Sequence, residues 1–312
     1  MKPSIRILAV AAAFAMTAAG AVLVLDPFEP SFIDPETARC DQPSATFAAE
    51  QVLADHREVD AHYTCEGAVQ AATLYLPKGG GRHPALVWVH GAGEARRIPY
   101  GFPIFESLIQ SGIAVLSYDK RGVGESEGAC CPGDNGQFNL LTADVVGAVG
   151  VLRSRSDIDP RQIGLFGASQ AGWIAPRAAV EAHTAFLALA SAPTVTERTA
   201  NLYERLASGT EGQVSKDEIS RRLADAHPLG FDPLPYLQQL TVPGLWEFGT
   251  ADDRTPVDES VAVLDSLKAA GRDITVVTFP NAGHGLLDTP PSDPAAGPAM
   301  VRWILDHVSV PK

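Results

Sequence analysis

The sequence is short of basic side chains. Its 312 residues hold 24 Lys and Arg against 37 Asp and Glu, a formal net charge of −13, and Lys and Arg do not cluster into a run. Nucleic-acid binding needs a basic patch or stripe, so this balance argues against nucleic acid as a partner. Charged residues make up 20% and hydrophobic residues 46% of the chain, a composition typical of a globular protein rather than a disordered one.

Cysteine is also scarce. The four cysteines, Cys40, Cys65, Cys130 and Cys131, lack the spacing of a zinc site, so the sequence predicts no metal. An even number in an exported chain favours disulfides, and three pairings are open. Either Cys40 pairs with Cys65, which leaves an adjacent Cys130–Cys131 pair, or the two early cysteines pair with the two later ones in either order.

The N-terminus has the pattern of an export signal. Lys2 and Arg6 stand at the start of the chain, an apolar run covers 7–25, and small residues occupy 18–21. We predict a signal peptide over 1–25 that is cleaved. The alternative is an uncleaved anchor, because 19 apolar residues are enough to span a bilayer. Both place the protein outside the cytoplasm, periplasmic or secreted, with membrane contact only through that anchor, and 26–55 is predicted to be an irregular tether.

Strand and helix patterns alternate along 56–312. This alternation predicts one α/β domain with a mostly parallel sheet and helices on both faces. The predicted strands cover 57–63, 69–76, 84–90, 112–118, 163–166, 185–190, 242–248 and 273–279. The predicted helices cover 139–153, 171–182, 257–270 and 295–308, with a turn at 157–160. Ligands bind at the carboxyl ends of the strands in such sheets, so functional side chains are expected directly after strands.

Residues 193–236 interrupt the alternation. Ser215-Lys-Asp-Glu218 is similar to a capping box ahead of the apolar Ile219 and Leu223. We interpret this insertion as one or two helices over the strand ends, which form a lid or a wall of the substrate pocket. A surface excursion without a role is the alternative.

A strand, a small-residue turn and the start of a helix are predicted over 163–172, with Ser169 at the tip of the turn. Gly167 and Gly172 flank the serine, and Ala171 takes the place of a second glycine. Such a turn pushes the hydroxyl out above the sheet, where a base and an oxyanion site can reach it. The motif alone is also compatible with an ordinary tight turn.

A base and an acid follow the last two predicted strands. His284 lies between Gly283 and Gly285 directly after the strand at 273–279, a context that the other histidines lack. Asp252 follows the preceding strand, where a carboxylate can orient the imidazole, and the adjacent Asp253 is the alternative acid.

The turn after the strand at 84–90 is a candidate oxyanion hole. His90-Gly-Ala-Gly93 carries small residues that expose backbone N–H groups. We predict the Ala92 amide as one donor, with Gly91 as the next choice, and the Gln170 amide as its partner. His90 is interpreted as a structural hydrogen bonder rather than a second base.

Five stretches between residues 60 and 310 carry a family resemblance. They are His90-Gly-Ala-Gly93, Tyr118-Asp-Lys-Arg-Gly-Val-Gly-Glu-Ser126, Gly167-Ala-Ser-Gln-Ala-Gly172, Gly249-Thr-Ala-Asp252 with Pro256, and Gly283-His284. Together, in this order and spacing, they resemble the α/β-hydrolase superfamily, in its esterase and prolyl-oligopeptidase-like branch. The catalytic residues of that fold follow the same order along the chain as Ser169, Asp252 and His284 here. One departure from the family pattern is Ala171, where glycine is more usual.

The resemblance implies a serine hydrolase that cleaves a small-molecule carboxylic ester through an acyl-enzyme on Ser169, without a metal or organic cofactor. A serine peptidase is the alternative, although the segment ahead of the core is too short for the propeller of those relatives. Thioesterase or lipase activity is also open. A non-enzymatic binding protein on an inactive fold is disfavoured, because such a protein would normally lose a triad residue.

The loop Asp119–Ser126 is glycine-rich, but it lacks the Gly-Lys-Ser/Thr ending of a phosphate loop and does not open a helix. In the family this loop is structural. The resemblance therefore implies buried polar contacts for Asp119 and Arg121 near the oxyanion strand, and no catalytic role for Asp119.

Overall fold

The computed structural model describes residues 38–40, 42–129, 138–226 and 230–311, which lie in one compact unit over 32–312. The predicted signal or anchor at 1–25 and the cysteines Cys130 and Cys131 lie outside the described residues. Within the described ranges, we find no helix that is long and apolar enough to cross a membrane.

A single mixed sheet forms the centre of the fold. Over the described residues its ten strands run in the order β1-β3-β4-β6-β5-β7-β8-β9-β10, with β2 paired to β3. The strands are β1 (Ser44–Phe47), β2 (Gln51–Val52), β3 (Arg57–Cys65), β4 (Ala68–Leu76), β5 (His83–Val89), β6 (Ala114–Tyr118), β7 (Ile158–Ala168), β8 (Leu187–Ala190), β9 (Gly244–Gly249) and β10 (Ile274–Phe279). Neighbouring strands in the run β6-β5-β7-β8-β9-β10 are parallel. The pairs β1-β3, β2-β3, β3-β4 and β4-β6 are antiparallel.

Helices cover both faces of the sheet, so the predicted α/β architecture is confirmed. They are α1 (Pro103–Gln110), α2 (Phe138–Arg153), α3 (Ala171–Ala182), α4 (Glu197–Ala207), α5 (Lys216–Asp225), α6 (Leu234–Leu237), α7 (Val257–Ala269) and α8 (Ala296–Asp306). Buried residues of α2 and α3 share one core with the sheet, and those of α1 and α8 share the core on the other face. Strand β5 is buried along its whole length, as its continuous apolar run predicts.

Two local predictions are corrected by the structure, and one helix was missed. The tether predicted over 26–55 contains β1 and β2, short strands that pair with the edge of β3. The turn predicted at 157–160 is the start of β7, because Ile158 pairs with His83 on the central strand. Helix α1 was not predicted; Pro103 opens it, and its buried side is only two turns long.

The strand order brings distant segments together at one edge of the sheet. Strand β5 lies between β6 and β7, so the turn after β5 lies beside the turn after β7. Strands β8, β9 and β10 then follow in order, each parallel to the last. The four loops after β5, β7, β9 and β10 therefore open on the same carboxyl edge, where a parallel sheet binds its ligand.

Two helices of the 193–236 insertion have their own small core. Leu206 of α4 packs with Ile219 and Leu223 of α5. The predicted capping box is partly present, because the Ser215 hydroxyl accepts a hydrogen bond of 3.3 Å from the Glu218 amide. Such caps specify where a helix begins when its buried side is narrow.

The early cysteines lie close together in the interior. Cys40 and Cys65 are buried free thiols in the structure. The hydrogen bond with the Cys40 thiol, together with burial, raises the pKa of Cys65. The disulfide predictions stay predictions.

A buried carboxyl group in the sheet gives a test of the fold. Glu247 of β9 is fully buried, and among the described residues neither of its carboxyl oxygens has a hydrogen-bond partner. Burial raises the pKa of Glu247 from 4.5 to about 8. Below pH 4.5 the group is neutral in both the folded and the unfolded chain. Between pH 4.5 and about 8 the unfolded chain loses the proton first.

We therefore expect wild-type stability to fall as pH rises from 4.5 to about 8, by up to about 1.4 kcal/mol per unit from this group. Glu247→Gln keeps the shape and removes the charge, so the difference in unfolding free energy between variant and wild type should grow with pH across this window. Urea denaturation at pH 5, 6, 7 and 8 measures it. A constant difference at all four values would contradict the assigned burial.

Candidate active site

Ser169 occupies a strained turn between β7 and α3. Its backbone has φ 57°, a left-handed conformation that is uncommon for a residue with a side chain. Close packing leaves little alternative, because a Cβ on Gly167 would lie 2.3 Å from the Val89 carbonyl oxygen, and one on Gly172 would lie 2.3 Å from the Pro193 carbonyl oxygen. The Ser169 amide also donates a hydrogen bond of 3.0 Å to the Ala190 carbonyl oxygen of β8. Strain held in this way is typical of a functional residue.

Three predicted residues form a hydrogen-bonded chain. The Ser169 Oγ lies 2.9 Å from His284 Nε2. His284 Nδ1 lies 3.0 Å from each carboxylate oxygen of Asp252. Contact with the carboxylate requires the proton on Nδ1, which leaves Nε2 as an acceptor for the serine hydroxyl. The structure thus brings together a nucleophile, a base and an orienting acid from three separate loops.

Asp252, rather than the alternative Asp253, is the acid in contact with His284. Its side chain is fully buried, and its Oδ1 accepts hydrogen bonds of 2.8 Å from the amides of Arg254 and Thr255. These donors offset the cost of burying the carboxylate and fix its orientation. Asp253 instead lines the cavity in front of the serine.

Two residues that support the acid were missed by sequence reasoning. The Thr255 hydroxyl donates to the Ser191 carbonyl at 2.8 Å and lies 3.4 Å from His284 Nδ1, which ties the acid loop to the end of β8. Tyr203 of α4 donates from its hydroxyl to the Asp252 backbone carbonyl at 2.8 Å. Burial and the nearby Asp252 charge raise the pKa of Tyr203 to about 12, so this hydroxyl keeps its proton. A tyrosine on a polar helix gives no sequence signal for such a contact.

The predicted oxyanion loop lies against the serine turn. A Cβ on Gly91 would be 3.5 Å from the Ser169 Cβ, and Ala92 lines the same cavity as Ser169 and His284. Gln170 is fully buried at the N-terminus of α3, directly after the serine. The turn after β5 and the start of α3 therefore both lie next to Ser169.

His90 is structural, as predicted. Its Nδ1 accepts a hydrogen bond of 3.1 Å from Trp88, and its Nε2 lies 2.5 Å from the Tyr118 carbonyl oxygen. This pattern needs the neutral ring with its proton on Nε2. Burial lowers the pKa of His90 to about 4, in agreement with that form.

The loop after β6 makes the buried polar contacts that the resemblance implied. Asp119 accepts hydrogen bonds from the amides of Arg97 at 2.8 Å and Glu125 at 2.9 Å. Arg121 forms a two-pronged ion pair with Asp144, with bonds of 3.0 Å and 2.5 Å, and both side chains are buried. These contacts fix the loop and do not reach the serine.

A cavity of about 590 Å³ opens in front of Ser169. Its lining includes a few apolar residues and a larger number of charged and polar ones, most of them from α4, the residues just after it and the acid loop. The apolar residues are Trp173, Pro193 and Ala200, and the polar ones are Asn201, Glu204, Arg205, Ser208, Thr210, Asp253, Arg254 and Thr255. Helix α4 thus forms a wall of the site. The described residues include no cluster of three or more His, Cys, Asp or Glu side chains able to hold a metal ion.

The fold and these contacts define an α/β-hydrolase with the residues of a serine hydrolase. Residues 105–309, about two thirds of the chain, match the model of the prolyl oligopeptidase family. The chain belongs to that family.

Individual similarities span different lengths of their partners. The thiohydrolase aneE of Aspergillus aculeatus is 37% identical over 111 residues, 35% of this chain and 33% of that protein. The chain therefore spans about a third of the length of this curated relative.

Two solved structures share the fold. Acetyl xylan esterase 1 from Thermoanaerobacterium sp. JW/SL YS485 has a TM-score of 0.61 and 18% identity, over 86% of this chain and 89% of that one. The acylaminoacyl peptidase of Pyrococcus horikoshii has a TM-score of 0.60 and 16% identity, over 87% of this chain and 42% of that one. At these identities the likeness concerns the fold alone.

The two amide donors on Asp252 give a sharp test of the acid. In Asp252→Asn the amide oxygen should stay at the position that accepts from Arg254 and Thr255, so the NH₂ group faces His284 Nδ1. The imidazole must then carry its proton on Nε2, where it no longer accepts from Ser169. We expect kcat on an activated ester to fall by about 10³ to 10⁴-fold while the fold is retained. Steady-state kinetics and thermal unfolding measure the two effects.

Asp253→Asn is the matched comparison, because it makes the same change one residue along, in a carboxylate that lines the cavity but does not hydrogen-bond to His284, and it should lower kcat by less than about tenfold. Equal losses in the two variants would contradict the assignment of Asp252.

Proposed function

We propose that this chain is an exported serine hydrolase that cleaves carboxylic esters through an acyl-enzyme on Ser169. The observation that carries the proposal is the continuous hydrogen-bond chain from the Ser169 hydroxyl through His284 to the buried Asp252. A serine hydroxyl becomes a nucleophile when a base within hydrogen-bond distance takes its proton, and Nε2 at 2.9 Å is such a base.

In the proposed reaction, His284 Nε2 accepts the proton as Ser169 Oγ attacks the ester carbonyl. Asp252 stabilises the imidazolium that forms, because its carboxylate faces the Nδ1–H. The amides of Ala92 and Gln170 bind the oxyanion of the tetrahedral intermediate, with Gly91 in the same turn. His284 then gives the proton to the departing alcohol, and a water molecule activated by the same ring releases the acid and restores Ser169.

We favour an ester over a peptide because of the cavity in front of Ser169. The volume of about 590 Å³ and the mostly polar lining suit a compact substrate with polar groups better than a polypeptide or a long alkyl chain. The thiohydrolase relative makes a thioester the specific alternative.

A substrate panel separates these classes. It compares p-nitrophenyl acetate, butyrate and laurate with an acetyl thioester and an aminoacyl p-nitroanilide. We expect the highest kcat/KM on acetate or butyrate, at least about tenfold above laurate, thioester and anilide. A preference for the anilide would overturn the ester assignment in favour of a peptidase, and a preference for the thioester would favour the thiohydrolase reaction.

Ser169→Ala tests the nucleophile itself. Because it removes the attacking oxygen, we expect kcat on p-nitrophenyl acetate to fall by at least about 10⁴-fold. Ser191→Ala is a matched control. Ser191 directly follows the neighbouring strand and has a similar left-handed backbone, with φ 48°. Its hydroxyl has no hydrogen-bond partner among the described residues. Full activity in the Ser169 variant would contradict the proposal.

Export is supported by the basic start and apolar run of residues 1–25. Expression of the full chain in a bacterial host should place it outside the cytoplasm, and the mature N-terminus should begin after the small residues at 18–21. Cell fractionation and N-terminal sequencing measure this. A full-length protein recovered from the cytoplasm would contradict export.

A further inference from the structure

A buried lysine lies behind the candidate oxyanion hole. Lys120 follows β6 in the loop whose neighbouring residues Asp119 and Arg121 make structural contacts, and only 1% of its surface is exposed. Its backbone is fixed by hydrogen bonds of its amide to Ala95 and of its carbonyl to the Val123 amide, each 2.9 Å. A buried ammonium is costly unless its donors are satisfied, so a lysine held at such a site needs an explanation.

The Lys120 ammonium joins the two turns on which the oxyanion donors lie. Its Nζ donates to the Gly91 carbonyl at 2.9 Å and to the Gly93 carbonyl at 3.0 Å, both in the turn after β5. It donates a third hydrogen bond, of 2.7 Å, to Oε1 of Gln170, in the turn after β7. Three oxygens that only accept require three N–H donors, which is the protonated form of the lysine.

The contact with Gly91 determines where the Ala92 amide points. The Gly91 carbonyl and the Ala92 N–H belong to one trans peptide unit, so they point in opposite directions. Because Lys120 binds that carbonyl from the interior, the N–H on the other side of the unit faces the cavity that Ala92 lines with Ser169. The Gly93 carbonyl bond closes the turn around the same ammonium.

The third contact aligns the second donor. The side chain of Gln170 is held by Lys120, while its backbone amide begins α3 beside Ser169. One cation therefore sets the spacing between the two turns from which the donors come. It also adds a positive charge behind them in a buried place, where charge interactions are screened less than in water.

We propose that Lys120 is the positioning residue of the oxyanion hole: it orients the Ala92 and Gln170 amides toward the developing oxyanion without touching the substrate. The proposal rests on the proposed function, since it requires an acyl-transfer reaction at Ser169. It gives Lys120 a role in the transition state rather than in substrate binding, because fixed donors matter most when negative charge forms.

Lys120→Met tests this role, since methionine keeps the apolar stem and removes the hydrogen bonds to Gly91, Gly93 and Gln170. We expect kcat on p-nitrophenyl acetate to fall by roughly 10²-fold, the scale for loss of one oxyanion donor, with KM changed by less than about threefold. Inhibition by a trifluoromethyl ketone, which forms an oxyanion adduct on the serine, should weaken by a similar factor. The pH profile of kcat/KM should keep its wild-type shape, because the contacts of His284 and Asp252 are untouched.

Arg121→Met is the matched control. Arg121 is the next residue, and its positively charged side chain is also buried. It binds Asp144 and the Cys65 carbonyl instead of the oxyanion turns. We expect this variant to lose thermal stability and to keep kcat within about threefold of the wild type below its unfolding temperature. If Lys120→Met does not fold, Gln170→Leu provides the test. It replaces the carboxamide, including the oxygen that accepts from Lys120, with an apolar group of similar size and should lower kcat roughly tenfold without raising KM.

The outcomes separate this proposal from the proposed function. Wild-type kcat in Lys120→Met, or a loss that matches the one in Arg121→Met in both kcat and stability, would overturn the role of Lys120. If Lys120→Met does not fold, unchanged kcat in Gln170→Leu would overturn it as well. Ser169→Ala in the same assay reports on the proposed function: if it remains active, the acyl-transfer reaction itself is wrong, whereas an inactive Ser169→Ala beside a fully active Lys120→Met refutes only the lysine.

Discussion

The left-handed turn at Ser169 is the constraint on which the site depends. The serine is held at φ 57° between a strand and a helix that pack against it on both sides. Gly167 and Gly172 leave no room for a side chain, because the backbone of the neighbouring segments occupies the space where a Cβ would lie. The energy stored in this conformation is balanced by the packing of β7 between β5 and β8. The hydroxyl is thereby presented to loops that come from elsewhere in the sequence.

The sheet order converts that turn into a site. Because β5 and β7 are parallel neighbours, the glycine-rich turn after β5 comes to lie beside the serine. The strands after β7 then bring an acid and a base to the same edge, and the buried contacts of Asp252 fix the acid before any substrate arrives. Helix α4 contributes to both parts, since Tyr203 holds the acid loop and its other side chains line the cavity. Changes in this helix should therefore affect substrate choice and the acid loop together.

Much of the fold and the candidate residues of the site could be predicted from the sequence, because strand patterns and the motifs that follow them are local. Apolar runs of the right length mark β5 and β6, and each polar candidate directly follows a strand. The place of Asp252 after a strand favoured it as the acid but left the adjacent Asp253 open, and the structure separates the two, since Asp252 hydrogen-bonds to His284 and Asp253 lines the cavity. Short edge strands such as β1 carry too little pattern to be recognised, and β7 begins earlier than its apolar residues suggest because it pairs with β5.

Contacts between distant segments carried no such signal. Lys120 lies in a motif that seemed purely structural, and its bonds to Gly91 and Gln170 cross 29 and 50 residues of chain. Tyr203 reaches Asp252 across 49 residues from a helix whose sequence is mostly polar. Periodicity and spacing report on neighbours along the chain, whereas these bonds depend on how the sheet is assembled.

The central claim is that Ser169 is the activated nucleophile. Its most direct measurement is labelling of the folded protein with a fluorophosphonate, followed by mass-spectrometric mapping of the modified peptide. We expect one phosphonyl group per chain, on Ser169. A folded protein that stays unlabelled, or a label on another residue, would contradict it.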